Sequence, residues 1–455
     1  MKSRAVFWLV VGLLLAVMYQ RKRWYSGEVF TWDGGGYLSY LSATLLYHDP
    51  GRPDSLATIV RQHTNDSREH SLSRLGLQAL PNGNYATKYP LGMALSQLPW
   101  FGGAHAYARR TGWPANGFSW PYQEAAMLGG LAYACLGLWV LRRLLRRYYP
   151  DATVAWALAG IGLGTNFFVY ASHDAAMSHS VLFLWQASLL YCTARWYETP
   201  RRRWAAGIGL FLGLAVLTRF SEAVYVLVPL AWGLSSAAAW RQRPALWARH
   251  AGQLALALAL GAGVVSLQFW FWHYVSGHWL LNAYQNEHFD FKHPQILAGL
   301  FSIRKGWFVY TPLAALVLTA GLPPLRRAVP AALTALLLLL PAVLYLTFSW
   351  EQWWYGWGFS TRPLVSIYPL LALPLGAVVA ATSPGGPAAR WRGPARAVLL
   401  ACICLNLWQG WQYVNSVLPG DEVTAALYRE RFFRLPPWLP PLSKPPLPPP
   451  PLPVW

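Results

Sequence analysis

Long apolar runs alternate with short polar loops along most of this 455-residue chain. After a first run from Ala5 to Tyr19, they recur near 123–141, 153–171, 177–194, 204–218, 222–239, 252–275, 307–325, 330–348, 364–382 and 397–415. Each approaches the roughly 20 residues a helix needs to cross the hydrocarbon core of a bilayer. The pattern predicts an all-α polytopic membrane protein with about 11 transmembrane helices.

Two stretches depart from it. Residues 21–121 contain no full-length apolar run, so they form a large first loop in which juxtamembrane helices are expected. Residues 416–455 open with a charged amphipathic piece, Asp421 to Arg434, and close with Pro436 to Trp455, which reads as extended polyproline. The organisation expected is a transmembrane unit over 1–415 and a short tail over 416–455. The N-terminal Met1-Lys2-Ser3-Arg4 and its apolar run resemble a signal peptide, but no small-residue cleavage site follows, which favours an uncleaved anchor.

Loop charge sets the orientation. Sixteen arginines, among them Arg142, Arg143, Arg146 and Arg147, occupy the loops on one side, against Arg219, Lys292, Arg304, Lys305 and Arg362 on the other. The excess marks the cytoplasmic side. The N-terminus is then inside, with the 21–121 loop and the C-terminus outside. Arg21-Lys22-Arg23 disagrees, since it flanks the first span on the outer side, and the later loops outvote it. A net charge of +20 could suggest nucleic acid, but with 55% hydrophobic and 12% charged residues it reports membrane topology and contact with anionic lipids. The setting expected is the bacterial inner membrane. The four cysteines lie inside apolar runs, so neither a disulfide framework nor a cysteine metal site is expected.

With this topology, the groups able to do chemistry gather on the outer face. Trp32-Asp33-Gly34-Gly35-Gly36-Tyr37 puts one carboxylate beside three residues without side-chain bulk, ahead of a segment whose Leu38, Leu41 and Leu45 recur at helical spacing. The plain alternative is a helix N-cap. Arg219 and Glu222 interrupt an apolar stretch at i, i+3 and could pair, either as a hairpin support or as part of a site. In Lys88-Tyr89-Pro90 the proline constrains the backbone, so the ammonium can be fixed at a phosphate instead of snorkelling. Arg304-Lys305 and Arg362 supply further cations, and clustered cations with few acids nearby suit a lipid-linked phosphate. His173, Asp174 and His179 raise the alternative of a divalent metal, although their spacing matches no known ligand pattern. Trp350 to Trp357, with Glu351 embedded, forms either an interfacial belt or a stacking surface for a sugar or prenyl group. Trp32, Tyr89, Trp353 and Trp354 are the candidate platform residues. No Walker motif, dinucleotide fingerprint or nucleophile elbow occurs, so any chemical driving force must arrive with the substrate.

The order of these short motifs resembles the GT-C superfamily of membrane glycosyltransferases. It is similar to the branch holding protein O-mannosyltransferases and bacterial aminoarabinose-to-lipid A transferases. The resemblance rests on Trp32-Asp33-Gly34 with Tyr37, Lys88-Tyr89-Pro90, Asp174, Leu217-Thr218-Arg219 and the tryptophan-rich loop, and covers residues 1 to about 380. It implies a sugar donor carried on polyprenyl phosphate, used on the outer face, with Asp33 as the catalytic base. Many relatives carry an acidic pair in the first motif. Here Gly34 follows Asp33, leaving Asp49 or Asp174 as the second acid.

The expected reaction is an inverting transfer to an acceptor hydroxyl. A base removes the acceptor proton, and cations stabilise the leaving phosphate. Lys88 and Arg304 are the first choices for that phosphate, followed by Lys305, Arg219 and Arg362. Tyr37, His173, Glu222 and Glu351 are supporting candidates. The glycines would leave room for the acceptor, which could be lipid, polysaccharide or protein. The competing reading is a transporter or flippase of a lipid-linked sugar, which would need midplane charges and internal repeats. The sequence shows no repeat.

Overall fold

The computed structural model describes residues 2–52, 54–64, 72–73, 75–284 and 287–435. The proline-rich tail from Pro436 and much of the charged segment from Arg61 to Arg74 lie outside the described residues. Helices dominate. In chain order they begin with α1 (Ser3–Arg21), α2 (Asp33–Leu45), α3 (Asp54–Thr64), α4 (Gly92–Thr111), α5 (Trp120–Leu145) and α6 (Asp151–Leu163). Next come α7 (Phe167–Ser172), α8 (Ser178–Glu198), α9 (Arg202–Thr218), α10 (Leu227–Ala231), α11 (Ala237–Arg249) and α12 (Ala251–Ser276). The chain continues through α13 (Ile296–Phe301), α14 (Trp307–Tyr310), α15 (Pro312–Ala320), α16 (Leu322–Ala328) and α17 (Pro330–Phe348). It ends in α18 (Tyr368–Ala381), α19 (Arg392–Val414) and α20 (Ala425–Arg431). A two-stranded antiparallel hairpin, β1 (Leu77–Ala79) with β2 (Tyr85–Thr87), interrupts the first loop.

Among the described residues, six segments are long and apolar enough to cross a membrane: Ser3–Tyr25, Trp120–Leu145, Ala251–Ser276, Pro330–Phe348, Arg362–Ala381 and Ala389–Val414. The chain is an all-α integral membrane protein, as its hydropathy predicts. Three predicted spans are interrupted instead of continuous. The run at 153–171 breaks between α6 and α7, where Asn166 donates to the Thr361 carbonyl at 3.3 Å and accepts from the Tyr368 hydroxyl. The run at 222–239 starts as a 3-10 turn, Phe220–Val226, and ends at Gly233, whose φ is +79°. The run at 307–325 restarts at Pro312 and again at Pro323-Pro324, because proline has no N–H to continue the ladder. Broken helices inside a membrane protein persist only where other groups satisfy the freed backbone.

Close helix packing relies on missing side chains. Gly209 and Gly213 of α9 face Ala257 and Gly261 of α12, and a Cβ on Gly209 would come within 2.0 Å of the Ala257 carbonyl oxygen. Small residues four apart on both helices let the backbones touch, the usual solution where apolar burial gives no drive between helices in lipid. The C-terminal end of α12 is then clipped to the hairpin. Asn82 and Asn84 both donate to the Val275 carbonyl, at 2.9 and 2.8 Å, and Gln268 accepts from the Leu91 N–H at 2.7 Å.

Candidate active site

A cavity of about 1450 Å³ opens at one end of the helices. Three helices reach it near one end: α1 contributes Arg21, α5 Met127 and α8 His179. Asp33 enters from the first turn of α2. Ahead of it, Trp32 has φ +53°, a conformation that non-glycine residues adopt at a cost of about 1–3 kcal/mol. This turn points the Asp33 carboxylate inward. Asp33 is the first helical residue and not the cap, and its side chain makes no capping bond. Its Oδ2 lies 2.8 Å from Arg362 Nη1, and its Oδ1 accepts from the Tyr89 hydroxyl. Burial pushes the carboxyl up, but Arg362, the Tyr89 hydrogen bond, Lys88 and Arg219 together hold it below the ordinary carboxylate range.

The glycine run serves the protein's own packing. A Cβ on Gly34 would fall 2.1 Å from the Val29 carbonyl oxygen, and one on Gly36 2.3 Å from the Tyr89 ring. All three glycines are buried. The space expected there for an acceptor is therefore filled, and what the glycines permit is the approach of Tyr89 to Asp33. Tyr37 meets Tyr89 edge to face at 4.9 Å, and its hydroxyl donates to Ser178 Oγ at 3.2 Å. Burial and the neighbouring Asp33 carboxylate push the Tyr37 phenol up to about 12.

Three predicted cations line the cavity: Lys88, Arg219 and Arg362. Each has an acidic partner. Arg362 pairs with Asp33, Lys88 Nζ lies 2.5 Å from Glu287 Oε1, and Arg219 Nη1 is 3.8 Å from Glu222 Oε1. The expectation of cations with few acids nearby is thus corrected, since acids and cations alternate around the wall. Arg219 is the least committed, with long contacts of 3.4 Å to Ser178 Oγ and His179 Nδ1. Glu222 is buried and accepts from Gln186 Nε2 at 2.8 Å.

Several predicted residues do not join this group. Arg304 stacks over Trp354 with its Cζ 4.0 Å from the ring centroid and pairs with Asp421 at 2.9 Å. Lys305 is buried, its ammonium donating to the carbonyls of Gly358 and Gly420. It ties the loop after α17 to the segment after α19 and does not line the cavity. Asp49 lies in the turn after α2, outside the cavity lining. Asp174 lines the wall but is engaged by Arg23 and by the Tyr413 hydroxyl at 3.0 Å. Burial and Arg23 push His173 down to about 3, so its ring is neutral at ordinary pH. Glu351 is half-exposed against His288 at 3.2 Å. Among the described residues, no group of three His, Cys, Asp or Glu side chains could hold a metal ion.

The tryptophan-rich loop does reach the cavity, but through other residues than those chosen from sequence. Trp353 and Trp354 do not line it, whereas Trp350, Tyr355 and Trp357 do, together with Trp32 and Tyr89. Sequence reasoning also gave no role to Tyr284 and Glu287, which close the wall around Lys88. Their signal was an acid and an aromatic in one short polar loop, weak without the fold to bring them to Lys88.

No family model matches the chain, and neither does any curated protein. Among solved structures, it is similar to ArnT from Cupriavidus metallidurans in the apo state, with 15% identity over 88% of this chain and 64% of that chain, at a TM-score of 0.49. It is also similar to ArnT from Cupriavidus metallidurans bound to undecaprenyl phosphate, with 18% identity over 87% of this chain and 63% of that one, at a TM-score of 0.47. The chain spans less than two thirds of the length of the structures it matches.

Proposed function

We propose that this chain is a GT-C-type glycosyltransferase that moves a sugar from a polyprenyl-phosphate donor to an acceptor hydroxyl on the outer face of a bacterial inner membrane, its N-terminus being cytoplasmic. One observation carries the reading: an ionised carboxylate, Asp33, faces a large cavity at the end of apolar helices with Arg362, Lys88 and Arg219 around it. At about 1450 Å³ the cavity exceeds the usual span of small-molecule sites, about 300–1,000 Å³, so donor sugar and acceptor fit together.

In this mechanism Asp33 takes the acceptor hydroxyl proton as that oxygen attacks the anomeric carbon. The bond from that carbon to the phosphate oxygen breaks, and its electron pair leaves with the prenyl phosphate. Lys88 and Arg219 receive the growing negative charge. Arg362 has a different task from the one its sequence position suggested: beside Asp33, it keeps the base ionised. Tyr89 orients the same carboxylate. The prenyl chain lies between helices, reaching the cavity from the bilayer. The acceptor is a lipid, polysaccharide or protein hydroxyl.

Mass spectrometry of envelope glycans from cells with the native chain, without it, and with Asp33→Asn tests this. The native chain should add one sugar to one class of glycan, and Asp33→Asn should remove it, a base being worth about 10²–10⁴-fold. Identical glycans in all three strains, with the protein present in the membrane, would overturn the proposal.

A further inference from the structure

At the far end of the helices from the cavity, a second recess of about 690 Å³ is lined by Arg4, Arg142, Arg143, Arg146, Arg147, Trp139 and Tyr191. The helices themselves give its position. Arg4 and Arg21 both belong to α1, and at 1.5 Å per residue they are separated by about 25 Å. α5 and α8 likewise show Met127 and His179 to the cavity, and Arg142 and Tyr191 to the recess. A hydrocarbon core about 30 Å thick fits between the two openings.

Five guanidinium groups and no carboxylate line the recess. Two nearby acids offset part of the charge. Asp151 lies 3.5 Å from Arg146 and 3.8 Å from Arg142, and Glu198 takes Arg147. Arg142 is buried and fixed, its Nε donating to Ser3 Oγ at 2.7 Å and its guanidinium 5.1 Å from the Trp139 ring centroid. Ser3 is in turn anchored on Asp151, its N–H donating at 2.8 Å. Arg4 and Arg143 are exposed, and among the described residues neither meets a carboxylate. The topological charge bias asks only for arginines on this side. It does not ask for a rigid floor, a walled recess and two arginines facing an opening. The apolar side is also present: Trp139 touches Phe7, and Trp8 and Leu136 are exposed on the adjoining helix faces, where acyl chains would lie.

We infer that this recess binds the phosphodiester headgroup of an anionic membrane phospholipid, on the face opposite the cavity. Arg4 and Arg143 hold the phosphate oxygens, Arg142 with Arg146 sets the floor, and the rings of Trp139 and Tyr191 meet the upper acyl chain. Basic recesses between helices select such headgroups because guanidinium pairs with phosphate in two-pronged geometry.

The test uses the full chain in an uncharged detergent, with retained lipid counted by native mass spectrometry and the thermal midpoint followed during titration. The additions are phosphatidylglycerol, cardiolipin, phosphatidylethanolamine and inorganic phosphate. The two anionic lipids should be retained and should raise the midpoint, while the zwitterionic lipid and inorganic phosphate should not. Arg4→Gln with Arg143→Gln should weaken anionic-lipid binding on the order of 25-fold, about fivefold for each arginine, with the lipid-free midpoint unchanged. Arg143→Lys, which keeps the charge but not the two-pronged pairing, should weaken binding, though by less than Arg143→Gln. Equal retention by native and doubly substituted chains, equal stabilisation by phosphatidylethanolamine, or stabilisation by inorganic phosphate alone would each overturn the inference.

Discussion

Asp33 and Arg362 meet at 2.8 Å across 329 positions of sequence, each with less than a fifth of its side chain exposed. The pair joins the first loop to the turn that opens the span Arg362–Ala381. A buried pair of this kind is expensive to break, because the surviving charge stays in a poor solvent.

Arg362→Gln should therefore cost roughly 3–5 kcal/mol of stability and raise the Asp33 carboxyl. In the native chain this carboxyl titrates below its unfolded value of about 3.9. Its contribution is complete above that value and is lost as pH falls through the folded titration. Without Arg362, the acid limb of the pH–rate profile should move to higher pH. An unmoved limb in a folded variant would exclude the assigned role.

Tyr89 offers a graded test of orientation. Tyr89→Phe removes one hydrogen bond to a charged group, about 1.5–3 kcal/mol, so transfer should fall roughly 10- to 100-fold. Gly36→Ala leaves the hydroxyl in the chain but drives a methyl into the tyrosine ring. It should reduce transfer at least as much, with about 1–3 kcal/mol of overpacking visible in the thermal midpoint. Steady-state assay with unfolding of both variants separates the two effects.

Lys88 is held by Glu287, so an arriving phosphate must compete with a carboxylate. Glu287→Gln should improve donor binding about twofold to fivefold, and Lys88→Met should weaken it, both read as KM for the donor. Should Glu287→Gln weaken binding instead, the glutamate touches the substrate and the assignment of Lys88 fails.

Lys305 should behave as a structural tie. Burial, with Arg362 close by, pulls its ammonium down to about 7, against about 10.4 in the unfolded chain. Between those values the unfolded chain binds more protons, so stability should rise with pH across that window. Lys305→Met should flatten the rise in thermal midpoint between pH 7 and 10 and leave donor affinity unchanged. A loss of affinity without a change in the pH profile would restore the phosphate-binding role.

The helical membrane architecture was legible because hydropathy depends on local composition, and bilayer thickness sets a length that a sequence can be measured against. The interruptions at Asn166, Gly233 and Pro312 were less so, since an apolar window averages over one polar residue or proline. Within the site, Asp33, Lys88, Tyr89, Arg219 and Arg362 stood out as charged or aromatic residues at the ends of apolar runs, and they do line one cavity. Their partners were hidden. Nothing near Lys88 in sequence announces Glu287, and nothing near Arg304 announces Asp421. A cation read alone resembles a ligand-binding group, and only its neighbours in space show whether its charge is already spoken for. The glycine run misled for a related reason: absent bulk suggests room for a substrate, while here backbone carbonyls and a tyrosine ring occupy it.

The clip between the hairpin and α12 links the cavity end of the molecule to the surrounding lipid. Only 6% of the apolar window of α12 is buried, so this helix answers chiefly to the thickness of the bilayer around it. Asn82, Asn84 and Leu91 are fastened to its C-terminal half, and Lys88 lies between them in sequence. A lean of α12 in a thinner membrane would carry that lysine along, so reconstitution in lipids of stepped acyl length should change donor affinity before it changes turnover.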